Sequence, residues 1–175
     1  RFTAFLYQNT QPVKFLTTTT TTNRKEAFQM TQRFRLHSMP SAQCYVAIQH
    51  DSVSDRTIVE LTSYSTLVLS AILDSDKSLR LLCSGTYSTT TARHINRFTT
   101  EFFGENLYHY CKRVVNSPDC FANERIAFGM FYTVFKDIPG DSKYYKHTQN
   151  FNRAIECYEN DSFGYGAVKP YRGHY

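Results

Sequence analysis

The chain lacks tryptophan, a long apolar run and the common catalytic motifs, and each absence narrows the classes of protein that fit it. Without tryptophan, the aromatic part of the core must come from the 13 tyrosines and 14 phenylalanines. No apolar run approaches the ~20 residues that cross a bilayer, so we expect no membrane-spanning helix. The patterns H-E-x-x-H, P-loop, G-x-S-x-G and G-x-G-x-x-G are absent, which favours a protein that is not an enzyme.

The cysteines do not have the spacing of a metal site or a disulfide framework. There are five of them, an odd number, and they are widely spaced without a C-x-x-C pair. Cys111 and Cys120 follow His109, but not at a usual zinc spacing, and their neighbours are mainly aromatic and aliphatic. We therefore expect reduced, buried thiols in a cytoplasmic protein that carries neither a metal nor a cofactor.

Length and charge set two further limits. The 175 residues suit a single α+β domain spanning residues 1–175. Twenty lysine and arginine residues face 15 aspartates and glutamates, which gives a formal net charge of +5. This mild excess is compatible with a polyanionic partner, although it does not form a basic tail.

A run of strands between residues 44 and 84 defines the expected fold. Segments rich in β-branched and aliphatic residues are separated by short turns, and such short connections favour an antiparallel meander. The predicted strands are Cys44–His50, Arg56–Ser63, Thr66–Leu73 and Leu79–Ser84. With helices on one face of this sheet, the predicted fold class is α+β, an antiparallel four-stranded meander followed by packed helices.

Five helices are predicted around this meander. In three of them, apolar residues recur at spacings of three and four. The predicted spans are Asn23–Phe34, a helix that starts at Ser88 or Thr89 and stops at Gly104, Asn106–Val115, Asn123–Phe135 and Thr148–Tyr158. Residues 34–103 are thus expected to form a core of sheet and helix, and residues 104–159 a helical, aromatic part.

The two ends of the chain have biased compositions. Residues 1–22 form an expected arm that ends in six threonines, Thr17–Thr22, and both an extended strand and a disordered tract fit it. Residues 160–175 are rich in glycine and tyrosine. Their composition is that of single-strand-binding segments, but an aromatic tail that packs on its own domain fits equally well.

The start of the helix after residue 87 is the main candidate for a functional site. A helix N-terminus offers unpaired backbone N–H groups and a positive dipole end, and both attract phosphate. Hydroxyl, guanidinium and imidazole groups cluster there, beside a ring that can stack on a base. The predicted nucleic-acid-binding residues are Tyr87, Ser88, Thr89, Thr90, Thr91, Arg93, His94 and Arg97.

A purely structural interpretation of the same residues stays open. One hydroxyl is needed as the helix cap, and the others can bond back to the helix. Arg97 can pair with Glu101, four residues further on. His94 can equally be a half-buried side chain without a ligand.

The chain reads S-Y-S-T-L-V at Ser63–Val68 and Y-S-T-T-T-A-R-H-I-N-R-F at Tyr87–Phe98. These segments resemble the S-Y-x-T-x-V strand and the Y-S-x-T-T-x-R-H-I-x-x-F helix start of an uncharacterised domain family of tailed phages and mobile elements. Where the family has a K-S-F-Y-like segment before the strand, this chain has Phe34–Ser38. The resemblance implies a viral or mobile-element origin, and it implies no catalytic residues.

Together these features favour a small non-enzymatic, phage-type protein that binds nucleic acid or a host nucleoprotein complex through the hydroxyl-rich helix start. Its expected location is the host cytoplasm, without a membrane partner. Two alternatives stay open. One is a protein-interaction module that inhibits a host defence or replication complex. The other is a virion or assembly component that forms homo-oligomers through its threonine arm and aromatic tail.

Overall fold

A computed structural model describes residues 32–85, 87–117, 120–126 and 129–160. The elements are β1 (Gln32–Arg35), β2 (Cys44–Asp51), β3 (Arg56–Ser63), β4 (Thr66–Leu73), β5 (Leu79–Cys83), α1 (Thr89–Phe103), α2 (Tyr108–Val115), β6 (Glu124–Ile126), β7 (Gly129–Asp137) and α3 (Ser142–Glu159). The strands form one antiparallel sheet in the order β1-β2-β3-β4-β5-β7-β6. The fold is therefore α+β, as predicted. The threonine arm and residues 161–175 lie outside the described residues.

The predicted meander forms the centre of this sheet, but the prediction of only four strands is wrong. β2 to β5 match the predicted strands to within one residue, whereas β1, β6 and β7 extend the sheet. β1 lies where the predicted helix Asn23–Phe34 was to end. Phe34 and Arg35 pair there with Val46 and Tyr45 of β2. The earlier residues of that helix are outside the described ranges.

The predicted helix Asn123–Phe135 is also wrong, because β6 and β7 form a hairpin there. Phe131, Val134 and Phe135 have a spacing that suits a helix. In β7, however, both faces are apolar: Phe131 faces one side of the sheet, and Tyr132 and Phe135 face the other. A strand covered on both faces loses its polar alternation and resembles a helix in periodicity. Residues 104–159 are therefore not all helical.

Side-chain caps explain where α1 and α3 begin. Ser88 Oγ accepts a hydrogen bond from the Thr91 N–H, and α1 ends at Gly104, whose φ of 78° is left-handed. α2 begins two residues later than predicted. α3 begins six residues earlier, because the Asp141 side chain caps it through the Lys143 N–H. Across the described ranges, each helix is too short or too polar to cross a membrane.

The helices cover one face of the sheet and enclose an aromatic core. Phe98, Phe102 and Phe103 of α1 and Phe151 of α3 are fully buried. The Phe98 and Phe102 rings stack with centroids 4.6 Å apart, and the Phe103 and Phe151 rings are 5.9 Å apart. Each buried ring contributes about 1.5–3 kcal/mol of apolar transfer free energy, so this face is a main source of stability.

The opposite face of the sheet, called here the concave face, is not covered by a helix of the described residues. Ile72, Leu82 and Phe131 form a second, smaller apolar cluster on it. In a flat sheet β1 and β7 would be about 24 Å apart, since neighbouring strands are ~4.8 Å apart. Arg33 of β1 and Gly129 of β7 nevertheless line the same cleft. The sheet therefore curls toward this face.

Candidate functional site

The two motif segments meet where β3 ends and α1 begins. Ser63 Oγ lies 2.8 Å from Nδ1 of His94 and 3.4 Å from Oγ1 of Thr91. Ser63 and His94 are only 3% and 2% exposed. Burial, followed by the charge of Arg93, lowers the pKa of His94, so the fold favours its neutral form. His94 therefore ties the helix to the sheet.

Tyr87 also packs against the sheet. Its hydroxyl donates to the Val68 carbonyl at 3.1 Å and accepts from the Ser84 N–H at 3.0 Å. Its ring lies 6.4 Å from the ring of Tyr108. Burial, followed by the neighbouring Cys83, raises the pKa of Tyr87. Both the ring and the hydroxyl are thus engaged in contacts within the fold.

The four hydroxyls of the helix start divide into two pairs. Ser88 caps α1 and donates to Oγ1 of Thr91 at 3.1 Å, so these two hydroxyls maintain the fold. Thr89 and Thr90 are exposed. Among the described residues, neither of their side chains has a hydrogen-bond partner. This second pair is therefore open to a ligand.

Arg93 and Arg97 lie one turn apart on α1 without a partner acid in the described part of the chain. Arg93 is exposed and Arg97 is half-buried. Glu101, the acid expected to pair with Arg97, instead accepts hydrogen bonds from the Ser38 N–H and the Tyr158 hydroxyl. The first turn of α1 contains no acidic residue. Both guanidinium groups can therefore meet an anion.

A cleft of about 520 Å³, called here the arginine cleft, lies between β1, the start of β2 and the β3–β4 turn. The Cζ atoms of Arg33 and Arg35 lie 4.3 Å and 5.7 Å from the centroid of the Tyr45 ring. Such cation–π stacking holds both guanidinium groups near one ring. The lining residues include no acid and are Arg33, Phe34, Arg35, Gln43, Tyr45, Tyr64 and Ser65.

Tyr64 connects the arginine cleft with the helix start. It lies in the turn between β3 and β4, is 53% exposed, and has a φ of 56°. Such a left-handed conformation is uncommon for tyrosine and persists where the surroundings enforce it. The Tyr64 N–H donates to the Gln43 carbonyl at 2.8 Å, and its ring lies 5.9 Å from the ring of His94. The ring is thus held at the edge of the cleft.

A second cleft, called here the Glu60 cleft, lies beside the first on the concave face. Its volume of about 730 Å³ is within the ~300–1,000 Å³ of typical ligand pockets. Glu60 is half-buried, desolvation raises its pKa, and its Oε2 atom accepts a hydrogen bond from Gln49 Nε2 at 3.3 Å. The lining residues are Arg33, Ala47, Glu60, Thr62, Tyr64, Ser65, Thr66, Leu67, Gly129 and Phe131.

Sequence analysis missed both clefts because their residues are far apart in the chain. Arg33, Tyr45 and Glu60 come from three strands, and Phe131 comes from a fourth. The only local signal was Tyr64, which belongs to the S-Y-x-T-x-V motif. Its exposure and its contact with His94 depend on the turn, which the motif alone does not describe.

The groups that this end of the molecule exposes are suited to binding anions and aromatic rings. They are guanidinium, hydroxyl and phenol groups. The Ser63–His94 contact has the distance of a nucleophile–base pair, but both residues are buried, and no carboxylate of the described residues bonds to His94. Within the described ranges, no three His, Cys, Asp or Glu side chains are grouped to hold a metal ion. All five cysteines are free.

The fold places the chain in the α+β class. The chain belongs to the family of unknown function DUF8033, whose family model matches residues 17–116. This match covers more than half of the 175 residues and includes β1 to α2, and with them both motif segments. No curated protein and no solved structure matches the chain. The predicted membership of an uncharacterised family is confirmed, and its phage origin stays a prediction.

Proposed function

We propose that this protein is a non-enzymatic protein that binds nucleic acid, free or within a nucleoprotein, through the surface around Tyr64. One observation carries the proposal. Tyr64 lines the arginine cleft with Arg33 and Arg35, and its ring lies 5.9 Å from that of His94, on the same helix as Arg93 and Arg97. None of the four arginines pairs with a described carboxylate. Guanidinium groups bind phosphate with well-defined geometry, and phosphate contacts position a protein on nucleic acid.

At the opposite end of β4, in contrast, the cations are paired with acids. Asp74, in the β4–β5 turn, forms an ion pair with Arg56 at 3.0 Å and a hydrogen-bonded ion pair with Arg80 at 2.6 Å. Asp76, in the same turn, lies 3.9 Å from Lys136. Cations are therefore neutralised at that end of the sheet, whereas the arginines around Tyr64 are not.

The extent of the surface favours a polyanion over a single small anion. Its arginines lie on α1 and on β1, and Tyr64 is near both elements, through the His94 ring and through the lining of the arginine cleft. Thr89 and Thr90 add exposed hydroxyls at the helix start. A chain of phosphates contacts such separated groups in succession, and an exposed tyrosine stacks on a base between them.

Salt-dependent binding to short, labelled DNA and RNA oligonucleotides, measured by fluorescence anisotropy, tests the proposal. We expect the affinity to fall steeply with salt, because each neutralised phosphate releases counterions. The double variant Arg93→Ala/Arg97→Ala should bind about tenfold or more weakly, and the slope of log K against log salt should decrease by up to ~2.

The matched control is Lys143→Ala/Lys146→Ala, which removes the same charge from exposed positions on α3. Tyr144, between them, donates to the Lys77 carbonyl, so they lie near the β4–β5 turn and away from Tyr64. This variant should bind nearly as well as the parent. If the folded parent binds no oligonucleotide, or if the arginine and lysine variants behave alike, the proposal is wrong. Capture of one host protein complex would then favour the inhibitor hypothesis, and concentration-dependent self-association the assembly hypothesis.

A further inference from the structure

We propose that the concave face binds a single strand of nucleic acid, with the backbone in the arginine cleft and an unstacked base in the Glu60 cleft. This inference rests on the proposed function and specifies the kind of nucleic acid and its orientation. Three features of the concave face support it. The charged residues of the arginine cleft are all cations. The neighbouring Glu60 cleft has an apolar wall and hydrogen-bonding groups, and Tyr64 lies where the two clefts meet.

The arginine cleft is suited to phosphate and sugar. Arg33 and Arg35 are both exposed, and Tyr45 stacks against them at 4.3 Å and 5.7 Å. Arg35 Nη1 also donates to the Pro40 carbonyl at 3.0 Å, which limits the motion of that side chain. Because no lining residue is acidic, a phosphate in this cleft meets attraction from both guanidinium groups without repulsion from a carboxylate of the lining.

The Glu60 cleft, unlike the arginine cleft, has the mixed apolar and hydrogen-bonding lining that suits a base. Leu67 and Phe131 give it apolar surface, and Glu60 and Thr62 give it hydrogen-bonding groups. Gln49 bonds to only one Glu60 oxygen, Oε2, and the Oε1 atom has no hydrogen-bond partner among the described residues. A carboxylate repels phosphate but accepts hydrogen bonds from the amino groups of bases. Arg33 lines both clefts, but only this one contains an acid, so we place the base here and the backbone in the arginine cleft.

The residues that line both clefts determine how a nucleotide would lie across them. Arg33, Tyr64 and Ser65 line both clefts, so a nucleotide with its phosphate in one and its base in the other passes over the Tyr64 ring. A base in a duplex is stacked and paired, and it cannot enter a pocket of this kind without leaving the helix. The arrangement thus favours single strands and bases with an exocyclic amino group.

Anisotropy titrations with single-stranded and duplex oligonucleotides of the same sequence test the inference. The parent should prefer the single strand by about tenfold or more. Tyr64→Asn should remove most of this preference, because asparagine tolerates the left-handed backbone but lacks the ring. The matched control is Tyr145→Ala, which removes an exposed ring from α3 and should leave the preference unchanged.

Base selectivity gives a second, independent readout. Single strands of cytosine or adenine should bind several-fold more tightly than strands of thymine or uracil, which lack an exocyclic amino group. Glu60→Gln should reduce this selectivity while keeping the volume of the side chain. Circular dichroism of each variant verifies that it is folded.

The outcomes separate this inference from the proposed function. If single strands and duplexes bind equally well and Tyr64→Asn has no effect, while Arg93→Ala/Arg97→Ala still weakens binding, the cleft assignment is wrong and the proposed function stands. Equal affinity for all four homopolymers, unchanged by Glu60→Gln, overturns the placement of the base. If the parent binds no nucleic acid at all, both proposals fail.

Discussion

The two faces of the sheet are made by the same strands, but their side chains differ in solvent exposure. On the helix-covered face, Val46 and Leu61 are inaccessible to solvent. On the concave face, their immediate neighbours Tyr45, Ala47 and Thr62 stay partly exposed. Side chains alternate between the two faces along a strand, so each strand contributes to both surfaces.

Under the proposed function, this contrast assigns stability to one face and ligand binding to the other. The helix-covered face is closed by aromatic rings from α1 and α3. The concave face keeps arginines, tyrosines and a half-buried carboxylate that add little to an apolar core. Substitutions on the first face should therefore act on the free energy of unfolding, and those on the second mainly on binding.

The largest expected effect is that of Phe102→Ala on the helix-covered face. Phe102 is fully buried and stacks on Phe98 at 4.6 Å and on Tyr158 at 5.4 Å. Its truncation should lower the free energy of unfolding by about 3–5 kcal/mol, measured by chemical denaturation. A loss of less than about 1 kcal/mol would show that the aromatic core isn't the main source of stability.

A smaller loss in the free energy of unfolding is expected for Ser63→Ala, where the two motif segments meet. Ser63→Ala leaves the buried Nδ1 of His94 without its partner at 2.8 Å, and should cost about 1–3 kcal/mol. A double-mutant cycle with His94→Ala isolates the coupling between the two side chains, which we expect to be about 0.5–3 kcal/mol. Additive single losses would mean that the contact does not hold the helix on the sheet.

The pH dependence of stability offers a more selective measure of the same contact. Because the pKa of His94 is lower in the fold than its ordinary 6.5, the unfolded chain binds more protons as the pH falls below this value. Stability should therefore decline from about pH 7 toward about pH 5, and His94→Gln should reduce this decline. Urea denaturation over this range measures it. The control is His109→Gln at an exposed position on α2, which should keep the decline of the parent.

The smallest expected effect is that of Thr62→Ala on the concave face. Thr62 is partly exposed and lines the Glu60 cleft. Its truncation should change the free energy of unfolding by less than about 0.5 kcal/mol. The affinity for single-stranded oligonucleotides should nevertheless fall measurably in the anisotropy assay. A large loss of stability would contradict the division between the two faces.

The parts of the fold that could be predicted are those with strong local signals. β2 to β5 are joined by short turns, and α1 has both a serine cap and a glycine stop. β1 and β7 could not be assigned, because their structure depends on the strands beside them. β7 is apolar on both faces, and its Val134, Phe135 and Tyr132 contact the main core. Its enrichment in aromatic and β-branched residues was the signal that favoured a strand.

The candidate site was predictable only in part, for the same reason. Sequence identified the helix start, where Arg93, Thr89 and Thr90 are exposed. It had no means to show that Ser63 and Tyr64 would reach His94, or that β1 would bring two more arginines to the same end. Such convergence arises from strand register and from the curl of the sheet, which no short stretch of sequence encodes.

The carbonyl oxygen of Val68, in the first motif segment, connects that segment to the second by hydrogen bonds. It accepts hydrogen bonds from the backbone N–H and hydroxyl of Ser84 and from the hydroxyl of Tyr87. The chain between Val68 and Tyr87 must therefore leave the strand, reverse and return to the same atom. Added residues are compatible with that closure in the solvent-facing β4–β5 turn, but not between Ser84 and Tyr87, so variation in length within the family should concentrate in the turn.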